Sequence, residues 1–182
     1  MTKYNHTGQK RVIVEQLLPE INGGRFPIKR VVGDLVEVTG HIFADGHDKI
    51  SADLLFRHKD QAEWKAVPFI HDVNDEWKAS FPVQQLGTYL YSARGWIDAF
   101  STWQHDIRKK IEAGQQVSVD VKIGCELLGE AIGRADANDA KVLQHYLEQL
   151  RAEDDPDRIL LTAEDLELSA VMRLYPDPAK VV

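Results

Sequence analysis

The stretch FADGHD, residues 43–48, sets Asp45, His47 and Asp48 within four positions of one another. Two carboxylates flanking an imidazole are residue types that bind a divalent metal or relay a proton. Spacing argues against the metal. Side chains at i, i+2 and i+3 of a tight turn seldom converge on one ion, and a calcium loop spreads its oxygens over about twelve residues. The seven histidines are His6, His41, His47, His58, His71, His105 and His145, and none completes an H-E-x-x-H or H-x-H pattern. No metal and no cofactor is expected. Asp-Gly is also a favoured turn dipeptide, because glycine accepts positive φ and aspartate bonds its own backbone. The expected role of these residues is a turn or loop, which is compatible with recognition by the same loop.

Other chemistry is sparse. Cys125 is the only cysteine, so the chain has no internal disulfide and cannot build a structural zinc site. A reducing, cytoplasmic location is expected. Lying in an apolar helical run, Cys125 reads as a small core residue rather than a nucleophile. No serine occupies a G-x-S-x-G elbow, and NGGR (22–25) lacks the phosphate-loop frame. Acids such as Asp53, Asp72, Asp75 and Glu76 are expected in a chain of 29 acidic residues, and most of them read as solvated faces. Four tryptophans remain: Trp64, Trp77, Trp96 and Trp103. Indoles in a small β domain mostly serve core or interface, and stacking on sugar rings is the alternative. The similar runs EWKAVPF and EWKASFP suggest that Trp64 and Trp77 pair across a hairpin.

The elements that position these residues change type along the chain. Residues 1–10 are polar and expected to be flexible. Residues 11–98 read as seven short strands: 11–18, an extended edge over 21–34, 35–43, 50–58, 63–70, 76–83 and 88–98. Alternation puts Val36, Val38 and Ile42 on one face, likewise Ala52, Leu54 and Phe56, and likewise Tyr89, Tyr91, Ala93 and Ile97. Strands at this spacing suggest an immunoglobulin-like β-sandwich. Near residue 98 the period becomes helical. Phe100, Trp103, Ile107 and Ile111 form one stripe, with Asp98 or Ser101 to cap it and Gly114 to end it. Asp106–Lys110 and Arg108–Glu112 suit i,i+4 ion pairs. Residues 115–135 alternate first and then turn helical, leaving 115–124 open between strand and helix. Residues 136–153 form a helix that DDPDR breaks, and Thr162 opens a capping-box-like start for 162–175. The expected fold is mainly β with a helical appendage: a sandwich over 11–98, then a small helical bundle segment over 99–182.

Composition narrows the function classes. Of 182 residues, 43% are hydrophobic and 28% charged, and the net charge is −7. Nucleic-acid binding is not expected, because the one basic run, IRKK (107–110), is flanked by Asp106 and Glu112. The polar start shows no apolar signal stretch, and no run is long enough to cross a membrane.

Two longer stretches carry a resemblance. INGGRFPIKRVVGDLVEVTGHIFADGHDKISADLLFR (21–57) and LGTYLYSARGWIDAFSTWQHDIRKKIEAGQQV (86–117) resemble, in order and at compatible spacing, part of a known family. It is the N-terminal region of the bacterial maltosyltransferases that extend α-1,4-glucan from maltose 1-phosphate, within the α-amylase superfamily. The patterns G-G-R-F-P-x-K-R, F-A-D-G-H-D and F-x-T-W-x-x-D-x-x-K-K carry it together. The resemblance implies a β-sandwich with a helical insertion that helps form a homodimer. It also implies that catalysis sits in a separate (β/α)8 barrel, whose aspartate nucleophile and glutamate acid/base pass maltose through a covalent intermediate to a glucan hydroxyl. No barrel follows within these residues, so no catalytic residue is expected here. The expectation is an excised N-terminal fragment rather than a stand-alone relative, because the chain stops after YPDPAKVV with no return to the sandwich.

On this reading the chain is a non-catalytic domain for assembly. Its partners would be a second copy, the missing catalytic barrel of the same polypeptide and possible α-1,4-glucan contact. The alternative is a stand-alone carbohydrate-binding module for α-glucans. A third reading, a small enzyme using Asp45, His47 or Cys125, has no substrate to propose. Candidate interface or glucan contacts are Asp45, His47, Asp48, Trp64, Trp77 and Trp96.

Overall fold

The computed structural model describes residues 11–182. It is β-rich, with seven antiparallel strands in two sheets and then five helices. The chain divides into two compact units. One runs to Ile97 and takes back Ala179–Val182, and the other is Asp98–Pro178.

In the strand unit, β1 (Val12–Leu18), β2 (Leu35–Ala44), β6 (Glu76–Pro82) and β5 (Ile70–His71) form one sheet in the order β1-β2-β6-β5. The second sheet runs β4 (Lys65–Pro68), β3 (Ile50–His58), β7 (Tyr89–Ile97). Period-two alternation decides which side chains go inside. Val36, Val38, Ile42, Ala52, Leu54, Phe56, Ala79 and Phe81 are buried in one hydrophobic cluster fed by both sheets. Phe56 stacks on Phe81 with ring centroids 4.7 Å apart. Tyr89, Tyr91, Ala93 and Ile97 pack against the same cluster from β7.

Two expectations about strands are corrected. Residues 21–34 form no strand; they hold an isolated bridge between Ile21 and Phe26, and Gly33 and Asp34 bond the Val83 backbone beyond the end of β6. Three glycines and Pro27 there forgo the torsions and the donor that a ladder needs. The run 63–70 is also not one strand. It splits after Pro68, which puts β4 beside β3 and β5 beside β6 in the other sheet. Trp64 and Trp77 therefore do not pair across a hairpin.

The helical unit has its own core, and no helix among the described residues is long and apolar enough to cross a membrane. α1 (Ala99–Glu112) starts at Asp98, whose carboxylate accepts from the Ser101 N–H, and buries Phe100, Trp103 and Ile107. α2 (Ser118–Ile132) settles 118–124 of the open segment as helix, and 115–117 belong to neither a strand nor a helix. The alternation of Val117, Val119, Val121 and Ile123 misleads: Val117, Cys125 and Leu128 are buried, while Val119 and Ile123 are exposed. α3 (Ala137–Ala152) is capped by Asp136 and buries Leu143, Tyr146, Leu147 and Leu150. The break at 154–158 starts a further helix, α4 (Pro156–Ala163), with Asp155 as cap and Pro156 in the first turn. Thr162 lies inside α4, so it caps nothing. α5 (Leu166–Leu174) is capped instead by Asp165, which accepts from Glu167 and Leu168 N–H.

The chain then comes back. Val182 and Gly95 exchange both backbone hydrogen bonds, at 2.9 and 3.2 Å. The expected absence of a return to the strands is thus overturned. An edge of β7 offers unpaired backbone groups, and Val182 satisfies one pair of them.

Candidate functional site

The loop between β2 and β3 leads from one sheet to the other, so it is a crossing rather than a hairpin. Gly46 holds φ +89°, a torsion that glycine adopts without a Cβ penalty. What gathers this loop is Arg11, at the start of the described chain. Its Nε donates to Asp45 Oδ1 at 2.8 Å and its Nη1 to Asp48 Oδ2 at 2.6 Å. Nη2 donates to the Asp45 carbonyl at 2.6 Å. The guanidinium hydrogen bond, reinforced by its charge, holds the Asp45 carboxyl below its usual value. The same two aspartates raise the Arg11 pKa. His47 is exposed on this loop. Both carboxylates thus turn to a cation rather than to the imidazole, and the three do not converge as a proton relay. Among the described residues no group of three or more His, Cys, Asp or Glu side chains is placed to hold a metal. Sequence pattern had no means of finding Arg11, which lies 34 residues from Asp45.

The tryptophans are dispersed. Trp64 is exposed, with the Arg57 guanidinium 5.0 Å from its ring. Trp77 sits half-buried on β6, donates its indole N–H to the Ile42 carbonyl at 2.9 Å, and meets His71 edge-on. Trp96 is buried on β7, with Arg94 5.6 Å above its ring. Trp103 is buried in the helical unit and donates to the Asp120 carbonyl. Of the four indoles only Trp64 is exposed, so they form no row of exposed rings.

Several acids prove structural. Asp53 is buried and takes two hydrogen bonds from Arg94, at 3.0 and 2.7 Å, an exception to the solvated reading of most acids. The charge pairs expected along α1 choose other partners: Lys110 pairs with Asp120 at 2.6 Å, and Arg108 with Glu164. Each bridges to a separate element where sequence spacing suggested its own helix.

Cys125 is buried, and that burial raises its thiol pKa against the opposing pull of Arg151. This suits a thiol that stays protonated. It also lines a cavity of about 980 Å³ among α1, α2, α3 and α4, which nothing in the sequence singled out. The available signal was Gly129, a glycine inside a helix.

Comparison with known proteins places this arrangement. Residues 10–182 match the family model described as alpha-1,4-glucan:maltose-1-phosphate maltosyltransferase, domain N/S. The chain belongs to that family. A maltosyltransferase of this name from Chlorobaculum tepidum is 44% identical over 172 residues, covering 94% of this chain and 26% of the relative. One from Methylacidiphilum infernorum is 39% identical over 121 residues, covering 66% of this chain and 18% of the relative. One from Myxococcus xanthus is 34% identical over 174 residues, covering 91% and 26%. The chain thus spans about a quarter or less of these maltosyltransferases. The N/S region of the family takes in both the strand unit and the helical unit.

Proposed function

We propose that this chain is a non-catalytic N-terminal module of a cytoplasmic maltosyltransferase that builds α-1,4-glucan from maltose 1-phosphate, and that it serves homodimeric assembly. The match of residues 10–182 to the N/S domain family carries the reading. The commitments of the acids support it. Asp45 and Asp48 bind Arg11, Asp53 binds Arg94, Asp120 binds Lys110, and Asp98, Asp136, Asp155 and Asp165 cap helices. A glycosyl-transferring pair needs two carboxyl groups facing one sugar, and these face cations and backbone amides. Exposed Phe26, Val31, Leu35, Leu161 and Leu166 supply apolar surface for a second copy or for a barrel of the same polypeptide. The sheet orders β1-β2-β6-β5 and β4-β3-β7 support an immunoglobulin-like sandwich, since the first repeats the A-B-E-D order of that fold.

The test uses the purified chain with maltose 1-phosphate and maltooligosaccharide. No released phosphate and a dimer in sedimentation are expected. Phosphate release at enzymatic rates would remove the non-catalytic reading, and a monomer at high concentration would remove the assembly role. A second reading, glucan binding, has one observation in its favour: the exposed indole of Trp64. It expects Trp64→Ala to abolish a fluorescence response to maltooligosaccharide, and no response at millimolar sugar counts against it.

A further inference from the structure

The cavity in the helical unit sits within the size range of small-molecule pockets, roughly 300–1,000 Å³, at about 980 Å³. Its apolar lining comes from Ile111, Val117, Val121, Leu150 and Ile159, with the Cys125 thiol beside them. No phenylalanine, tyrosine or tryptophan lines it. A pyranose ring would therefore find no aromatic face to stack on, which separates this space from any glucan contact.

Gly129 makes the space look kept open rather than left over. Helix α2 holds two interior glycines that face different demands. At Gly124 a Cβ would fall 2.3 Å from the Trp103 ring, so packing requires the glycine. At Gly129, on the cavity wall, a Cβ would meet nothing within 4 Å. A glycine inside a helix costs about 1 kcal/mol relative to alanine. Here no close packing repays that cost, and a side chain would narrow the cavity.

The charged groups at the wall are Lys122, Glu126, Arg151, Glu153 and Asp154. Glu153 is engaged: its carboxylate accepts from the Asp154 and Asp155 N–H groups and pairs with Arg158. Arg151 is exposed and stands at the wall of the cavity, where its charge acts on the Cys125 thiol. A guanidinium beside apolar walls is the group to receive an anionic head whose body is buried.

We propose that this cavity binds a small molecule with an apolar aliphatic or aryl body and one anionic head. The body lies against Ile111 and Val121, and the head meets Arg151. Anilinonaphthalene sulfonate has this chemistry and fluoresces on burial. Titrated into the full chain, it is expected to saturate at one site. Gly129→Leu, which fills the opening, should weaken it by roughly tenfold or more, with helix content retained by circular dichroism. Phenylnaphthylamine, the same rings without the sulfonate, should bind several-fold more weakly, and Arg151→Gln should remove that difference. Cys125 gives a local readout, because it is the only thiol. Its alkylation by N-ethylmaleimide, followed by mass, should slow when the sulfonate probe is bound. Unchanged affinity in Gly129→Leu, or alkylation that the probe does not slow, overturns the site. Equal affinity for the two probes overturns the anionic head.

Discussion

At the scale of single residues, the FADGHD loop shows how one distant cation reassigns a motif. Asp45 and Asp48 flank His47 in the sequence, yet both turn to Arg11. The consequence is a pH dependence with a definite sign. The Asp45 carboxyl is held below its ordinary 3.8 by the Arg11 hydrogen bond and then by its charge. A carboxyl depressed in the folded state contributes stability above its unfolded value and loses it as pH falls through the folded value. Carboxyl-detected NMR titration should place the Asp45 midpoint below 3.8. Arg11→Ala should move it back up, and so in part should about 1 M salt, because the pair is exposed and screened. A midpoint indifferent to Arg11 would mean that the contact is not formed in solution.

At the scale of elements, α2 carries the sharpest contrast. Val117, Cys125 and Leu128 turn inward with helical spacing, and Gly124 lets the Trp103 ring lie against the helix backbone. Trp103 cannot easily move aside, since it is buried and its indole N–H is bonded to the Asp120 carbonyl at 2.7 Å. Gly124→Ala should therefore destabilise the chain by about 1–3 kcal/mol, the usual cost of overpacking. Gly129→Ala should instead stabilise it by about 0.5–1 kcal/mol, through helix propensity alone. Urea denaturation of the two variants checks the opposite signs. Much of this level was legible in the sequence. The stripe of Phe100, Trp103 and Ile107, the Asp98 cap and the inward faces of β2 and β3 follow from periodicity and capping. The start of α5 was not, because the capping-box pattern points to Thr162, while Thr162 falls inside α4 and Asp165 caps α5.

At the scale of the whole molecule, the last four residues, Ala179–Val182, rejoin the strand unit. The helical unit leaves after β7, and the chain comes back to pair with β7 at Gly95. Removing residues 179–182 should raise amide hydrogen exchange at Gly95, whose N–H donates to the Val182 carbonyl. Amides in the middle of β2, which pair with β6, should keep their protection. Exchange at Gly95 unaffected by the truncation would remove the pairing.

Local rules operate over a few residues, and those rules the sequence stated by itself. It determined a strand-rich first part and a helical second part, the inward faces, the ends of α1 and α3, and through its longer patterns the maltosyltransferase family. Tertiary structure alone decided the partners of charge. Arg11 with Asp45 and Asp48, Arg94 with Asp53, and Lys110 with Asp120 each join separate elements. It also decided the split of 63–70 between two sheets, the return of Val182 and the cavity beside Gly129. The reason is the same in each case. Charge pairing, edge pairing and empty space depend on which elements meet, and no periodicity within one element records its neighbour.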